Sequence, residues 1–264
     1  FGDHLEKMSD PTLFWIGALL ASLFVGAGKG GLPMVASLSV PILSLVMSPM
    51  HGAALLLPVY LISDVYGIVI YRHSFSPRNL AILIPAGAIG VIIGWLLADR
   101  TDEHVVRLII GCVGLGFLAL RMRSRFFGAP DPRPADVPRG LIWGSISGFT
   151  SFVSHAGGPA FQVYVLPQQM PKMMFAGTST ITFAVINLMK VPPYLSLDLL
   201  RWGDMNIVAA LAPVALFGTW LGYRLTQLIH EREFFVIIEI ALFVISVSLI
   251  RAGLTVLIWG PSPG

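Results

Sequence analysis

A run of apolar residues from Leu13 to Met47 is interrupted by Gly26-Ala27-Gly28-Lys29-Gly30-Gly31-Leu32-Pro33. Glycine and proline stop a helix there and leave backbone N–H and C=O groups without partners. In hydrocarbon such groups survive only where they face protein or a water-filled cavity, so the interruption points inward, and it carries a lysine. The device returns in the distal half as Ser154-His155-Ala156-Gly157-Gly158-Pro159. Paired broken segments at corresponding places in two halves are the sequence mark of a transporter's binding site.

The rest of the chain agrees with a membrane setting. It is 55% hydrophobic and only 12% charged, with a mean hydropathy of +0.80, too apolar for a soluble domain. The expected fold class is an all-α integral membrane protein. The small net charge of +3 sits in basic residues at span ends, which argues for topology and against a nucleic-acid partner. The single Cys112 lies in Ile109-Ile110-Gly111-Cys112-Val113; it excludes a disulfide framework and reads as a buried, inert thiol. The chain begins at Phe1 rather than methionine, which leaves open a missing N-terminal segment.

Taken in order, a polar lead over 1–10 precedes apolar segments at Pro11–Gly28 and Leu32–Met47, then spans at Gly52–Tyr71, Asn79–Ala98 and Val105–Leu120. A basic, proline-rich linker over 122–139 follows, with Arg121 at its edge. Beyond it come Gly140–His155, Ala160–Leu166, Met173–Tyr194, Met205–Leu225 and Phe234–Trp259. The halves align. Pro85, Gly90 and Gly94 match Pro213, Gly218 and Gly222 at one constant offset. Gly30-Gly31 matches Gly157-Gly158, and Asp64 and Tyr71 match Asn187 and Tyr194. Shared apolarity does not place glycines and prolines in register, so the chain reads as an internal duplication. The expected organisation is a first membrane repeat over 1–121, a cytoplasmic linker over 122–139 and a second repeat over 140–264.

Each half holds the same odd number of apolar segments, a broken hairpin and three spans, so the second half enters from the opposite face and the repeats are inverted. Charge agrees. With the linker cytoplasmic, that side carries Arg72, Arg78, Arg121, Arg123, Arg125, Arg133, Arg139, Lys172, Arg224 and Arg232, against Arg100, Arg107, Arg201 and Arg251 opposite. Excess arginine and lysine in short loops marks the cytoplasm, which puts both termini on the periplasmic or extracellular side. Whether each hairpin fully spans or re-enters stays open at this point.

The glycines divide by spacing. Gly90/Gly94 and Gly218/Gly222, four residues apart, read as close helix packing. Gly30-Gly31 and Gly157-Gly158, adjacent and near a proline, read as a site where helix-end N–H groups meet an anion. Lys29 is an intramembrane cation, a functional candidate unless it snorkels; Lys190, near a span end, is better placed to snorkel. Asp64 lies deep in its span and must be neutralised, pair with a cation such as Lys29, or relay protons. Glu239, His155 and Asp64 are the proton-coupling candidates; histidine titrates near neutral pH. Thr178, Ser179 and Asn187 offer hydroxyl and amide groups, although such hydroxyls commonly bond their own helix carbonyls.

No metal-ligand spacing, phosphate loop, dinucleotide fingerprint or nucleophile elbow is present in the sequence, so no cofactor is expected and transport is secondary or channel-like. The motifs Gly28-Lys29-Gly30-Gly31-Leu32-Pro33 with Pro41, Gly52-Ala53-Ala54, Gly144-Ser145-Ile146-Ser147-Gly148-Phe149, Gly157-Gly158-Pro159 and Ala176-Gly177-Thr178-Ser179 through Asn187 and Lys190 resemble the sulfite exporter TauE/SafE family over essentially the whole chain. The resemblance implies export of sulfite, or of an organosulfonate such as sulfoacetate, across a bacterial inner membrane. The residues alone reach a secondary transporter of a small anion. The anion is expected between the two breaks, bound by Lys29, Gly30, Gly31, His155, Gly157, Gly158, Thr178, Ser179, Asn187 and Lys190. Its partners are the anion and the bilayer, and a homodimer is compatible with the sequence. Two other classes stay open: a membrane-embedded hydrolase on inverted repeats, which needs clustered acids that this sequence lacks, and an anion channel.

Overall fold

The computed structural model describes residues 11–98 except 44, 45 and 48, scattered positions between 105 and 122, and residues 132–259 except 201. The polar lead, the loop after Ala98, most of the first-half span at Val105–Leu120 and most of the central linker lie outside the described residues. The elements are helices: α1 (Pro11–Lys29), α2 (Pro33–Ala36), α3 (Ser39–Leu43), α4 (Pro49–Tyr71), α5 (Pro77–Leu96), α6 (Val137–Ser154), α7 (Gly158–Val165), α8 (Lys172–Ser196), α9 (Met205–Leu228) and α10 (Glu231–Trp259). Among the described residues, six helices are long and apolar enough to cross a membrane: α1, α4, α5, α8, α9 and α10. The chain is therefore a multi-pass, all-α membrane protein.

The return arms of both broken hairpins are short. After the first break the chain makes only α2 and α3, of four and five residues, separated by a turn at Ser37-Leu38. Pro41 explains the interruption, because it lacks the N–H that would bond the Ser37 carbonyl. The neighbouring Ala36 carbonyl accepts from Ser39 Oγ at 2.6 Å and from Tyr60 Oη at 2.9 Å. After the second break α7 has eight residues, a rise of ~12 Å against a hydrocarbon core of ~30 Å. Neither arm spans as one helix.

The helices pack as two units, one from Phe1–Leu80 with Lys172–His230, the other from Ala81–Pro171 with Glu231–Gly264. Each draws on both sequence halves. In the first unit α1 lies against α9 along a glycine-lined seam. A side chain at Gly26 would meet the backbone of Ala215 and Thr219, and one at Gly218 or Gly222 the backbone of Leu23 or Ala27. Ser22 Oγ donates across the seam to the Leu211 carbonyl at 2.8 Å. Phe14, Val25, Leu43, Leu56 and Leu211 fill the core beside it. In the second unit α5 meets α6 in the same way: Gly90 against Ser145 and Phe149, Gly94 against Phe152. The packing role read from the four-residue glycine spacing is what these contacts display.

Large apolar side chains face outward on every long helix, among them Ile16 on α1, Val65 on α4, Ile92 on α5, Leu188 on α8, Phe217 on α9 and Phe243 on α10. A water-soluble fold does not expose so much; a bilayer solvates it. Cys112 is also exposed, contrary to the buried thiol expected from its apolar neighbours. An apolar run shows only that water is avoided, and lipid avoids it as well as a protein core does.

Candidate functional site

The first break forms because α1 runs out at Lys29, where Gly30 and Gly31 make a turn and Pro33 restarts a helix. Gly31 has φ +118°, which only glycine adopts without strain. The last carbonyls of a helix lack intrahelical donors, and here three other helices supply them. Tyr71 Oη on α4 donates to the Gly30 carbonyl at 2.6 Å, and Thr226 Oγ1 on α9 donates to the same oxygen at 3.3 Å. Thr180 Oγ1 on α8 donates to the Lys29 carbonyl at 3.1 Å. The backbone on either side of the lysine is thereby fixed.

From that anchored point the Lys29 side chain reaches Asp64, with Nζ 2.6 Å from Oδ1 and both residues buried. Asn187 Nδ2 donates to the other carboxylate oxygen, Oδ2, at 2.8 Å. The Lys29 ammonium also lies 5.3 Å from the ring centroid of Tyr60 and 5.9 Å from that of Phe183, within the range of cation–π attraction. Lys29 does not snorkel. Neither does Lys190, which is 0% exposed. Its position near a span end had favoured snorkelling; instead it follows Thr180, Phe183 and Asn187 at steps of three and four residues, on the helix face turned to Lys29 and Asp64.

The other first-unit candidates sort by their partners. Thr178 Oγ1 accepts from the Ser76 N–H at 2.9 Å and donates to the Met174 carbonyl at 2.7 Å, a bracket between the start of α8 and the turn before α5. The Ser179 and Ser63 hydroxyls are buried and have no hydrogen-bond partner. A side chain at Gly30 would strike the α9 backbone at Thr219, and one at Gly31 the hydroxyls of Tyr71 and Thr226; this doublet makes room for helices. The helix after it, α2, has only four residues, too few for an appreciable end dipole.

The second break is built differently. His155 ends α6 in the left-handed region, φ 53°, and its N–H donates to the Ser151 carbonyl. A histidine in that conformation fills a place glycine usually takes. Ser147 Oγ donates to the Gly157 carbonyl at 2.8 Å and Thr150 Oγ1 to the Ala156 carbonyl at 3.2 Å. Gly157 caps α7, and Gly158 and Pro159 open it. Inside α7 stands a residue that an apolar segment concealed in the sequence: Gln162 is 0% exposed, and neither its Nε2 nor its Oε1 has a partner. Its signal was the one amide in Ala160–Leu166. Glu239 lies partly buried on α10 of the same unit.

A multi-pass helical bundle that breaks its helices and buries two lysines and an aspartate has the make-up of a membrane transport protein. The chain belongs to the family described as sulfite exporter TauE/SafE, whose model matches residues 14–249. No curated protein and no solved structure matches the chain.

Proposed function

We propose that this protein is a secondary transporter that exports sulfite or an organosulfonate such as sulfoacetate across a bacterial inner membrane by alternating access. The observation that carries the reading is the buried Lys29–Asp64 pair at the broken end of α1, with buried Lys190 three residues beyond the Asn187 that bonds Asp64, in a chain of a sulfite exporter family. An intramembrane cation is costly and is retained where it serves a charged solute. Lys29 and Lys190 attract the anion, and Asn187 and the Ser179 hydroxyl offer neutral donors. Gly30, Gly31 and Thr178 hold the first site in shape, as Gly157, Gly158 and His155 do at the second break.

The chain is organised as two inverted membrane repeats, 1–121 and 140–264, with the linker 122–139 cytoplasmic and both termini periplasmic. In support, Pro85 and Pro213 are each eight residues from the start of their helix, in α5 and α9. An inside-negative potential drives a monoanion outward by about 2.3 kcal/mol per ~100 mV. That suffices without proton coupling, for which Asp64, His155 and Glu239 are the residues to test.

The test is flux of sulfite, sulfoacetate or taurine in proteoliposomes, with and without an imposed proton gradient, for wild type, Lys29→Ala and Lys190→Ala. Saturable flux that collapses in either lysine variant is expected. Absence of flux for any small sulfur anion in wild type removes the reading; non-saturating flux makes the protein a channel.

A further inference from the structure

Helix α10 has two faces. Leu242, Ile245, Ser246 and Leu249 are buried, and a side chain added at Gly111 or Gly114 would strike Ser246, so this face packs within the second unit. Phe243, Val244, Val247, Ser248, Arg251 and Thr255 are exposed and line a cavity of about 540 Å³. Phe243, Val247, Arg251 and Thr255 follow at four-residue steps and form a ridge along the helix, with Val244 and Ser248 beside it. The groove is graded in polarity: its first three residues are apolar and its last three polar. From Phe243 to Thr255 it runs ~18 Å along the axis, close to the depth of one leaflet of a ~30 Å hydrocarbon core. Arg251 stands about two turns before the end of α10 at Trp259. Its carbonyl accepts from Thr255 Oγ1 at 2.7 Å, and among the described residues no side chain pairs with its guanidinium.

We propose that this groove binds an anionic phospholipid, with an acyl chain along Phe243, Val244 and Val247 and the headgroup phosphate on Arg251. The Ser248 hydroxyl is a neutral donor to the same phosphate. A groove on the outward face of a membrane helix is filled by whatever solvates that face, and here that is lipid. The guanidinium decides which lipid. At the edge of hydrocarbon a bare cation is costly, and a phosphate diester offers its planar fork two oxygens. A zwitterionic headgroup brings its own ammonium to that phosphate, so it balances Arg251 less well than a headgroup with net negative charge. A second copy of the chain would have to set a counter-charge opposite Arg251, whereas lipid phosphate is present at that depth all around the protein. The proposal depends on the membrane setting and is independent of which anion is transported.

The test titrates the full chain, purified in a neutral detergent, with dioleoyl phosphatidylglycerol or dioleoyl phosphatidylcholine and counts bound lipid by native mass spectrometry. Wild type should hold its tightest phosphatidylglycerol about fivefold more firmly than phosphatidylcholine. Arg251→Gln should erase that preference, and Arg251→Lys, which keeps the charge without the fork, should retain part of it. Val247→Trp fills the apolar end and should weaken both lipids while leaving their ratio. Arg224→Gln removes another exposed arginine, one that lies over the Trp220 ring outside the groove, and should leave the preference unchanged. Equal retention of the two lipids in wild type, or a preference that survives Arg251→Gln, overturns the proposal. Competition by glycerol phosphate at the same concentration as phosphatidylglycerol overturns it too, in favour of an anion site that needs no chain. A wild-type dimer that Arg251→Gln dissociates would give the groove to a second copy and overturn it equally.

Discussion

Asp64 and Asn187 stand 123 residues apart, at matching places in the two sequence halves, and the amide of one donates to the carboxylate of the other at 2.8 Å. Only one of the pair is charged, so the contact is a charge-assisted hydrogen bond, and it leaves the other carboxylate oxygen to Lys29.

Removing Lys29 or Asp64 alone leaves the other buried without its ion-pair partner. Each single alanine variant should lose about 3–5 kcal/mol of stability. Replacing both by apolar residues, Lys29→Met with Asp64→Leu, should cost clearly less than the two changes summed. Thermal unfolding in detergent, arranged as a double-mutant cycle, reads the coupling; strict additivity would show that the pair does not interact as placed.

The Gly30 carbonyl accepts from Tyr71 and shares the single Thr226 hydroxyl proton with the Gly222 carbonyl, so losing one donor should be mild. Tyr71→Phe keeps the edge-to-face ring contact with Tyr223, and Thr226→Val keeps the volume. Each is expected to cost about 1 kcal/mol, and the two together more than their sum, because only the double variant orphans the carbonyl. The same double variant should slow anion flux by releasing the backbone that positions Lys29. Shifts in midpoint and flux are measured on the same preparations.

Gly222→Val should abolish folded protein, since a side chain there meets the Ala27 backbone and the α1–α9 seam cannot open without losing its packing. Gly203→Ala is the control: nothing lies within 4 Å of that position. Fluorescence-detected size exclusion of tagged variants should show loss of the monodisperse peak in the first and an unchanged peak in the second.

Gln162 keeps a buried donor and a buried acceptor unmet. Gln162→Leu removes that penalty and should leave the midpoint unchanged or raise it by about 1 kcal/mol equivalent, while lowering flux. A variant that is both less stable and fully active would show that the amide is structural.

Much of this was legible in the sequence. The glycine doublet and Pro33 located the first break, and four-residue glycine spacing located the helix seams, because backbone hydrogen bonding and close approach depend on residue type alone. The pairing of Lys29 with Asp64 was one of three outcomes the sequence left open for a carboxylate deep in a span, beside neutralisation and proton relay. Burial was less readable. Lys190 sits near a helix end yet faces the cluster, and Cys112 sits in an apolar run yet faces outward, because apolarity along a chain does not separate protein from lipid. Gln162 was hidden by its neighbours. The lengths of the return arms were hidden too, since Leu32–Met47 is apolar enough to read as one segment and only Pro41 with the adjoining serines divides it.

The mixed descent of the packing units bears on how the chain is made. The glycine face of α1 is complementary to α9, which leaves the ribosome almost a whole protein later. At ~5–20 residues per second that interval is roughly ten to forty seconds. During it α1, with its lysine at one end, must wait in the bilayer or in the insertion machinery for its permanent neighbour. Cutting the chain at the central linker would not yield two self-sufficient pieces, since each would display the unmatched surface of the other.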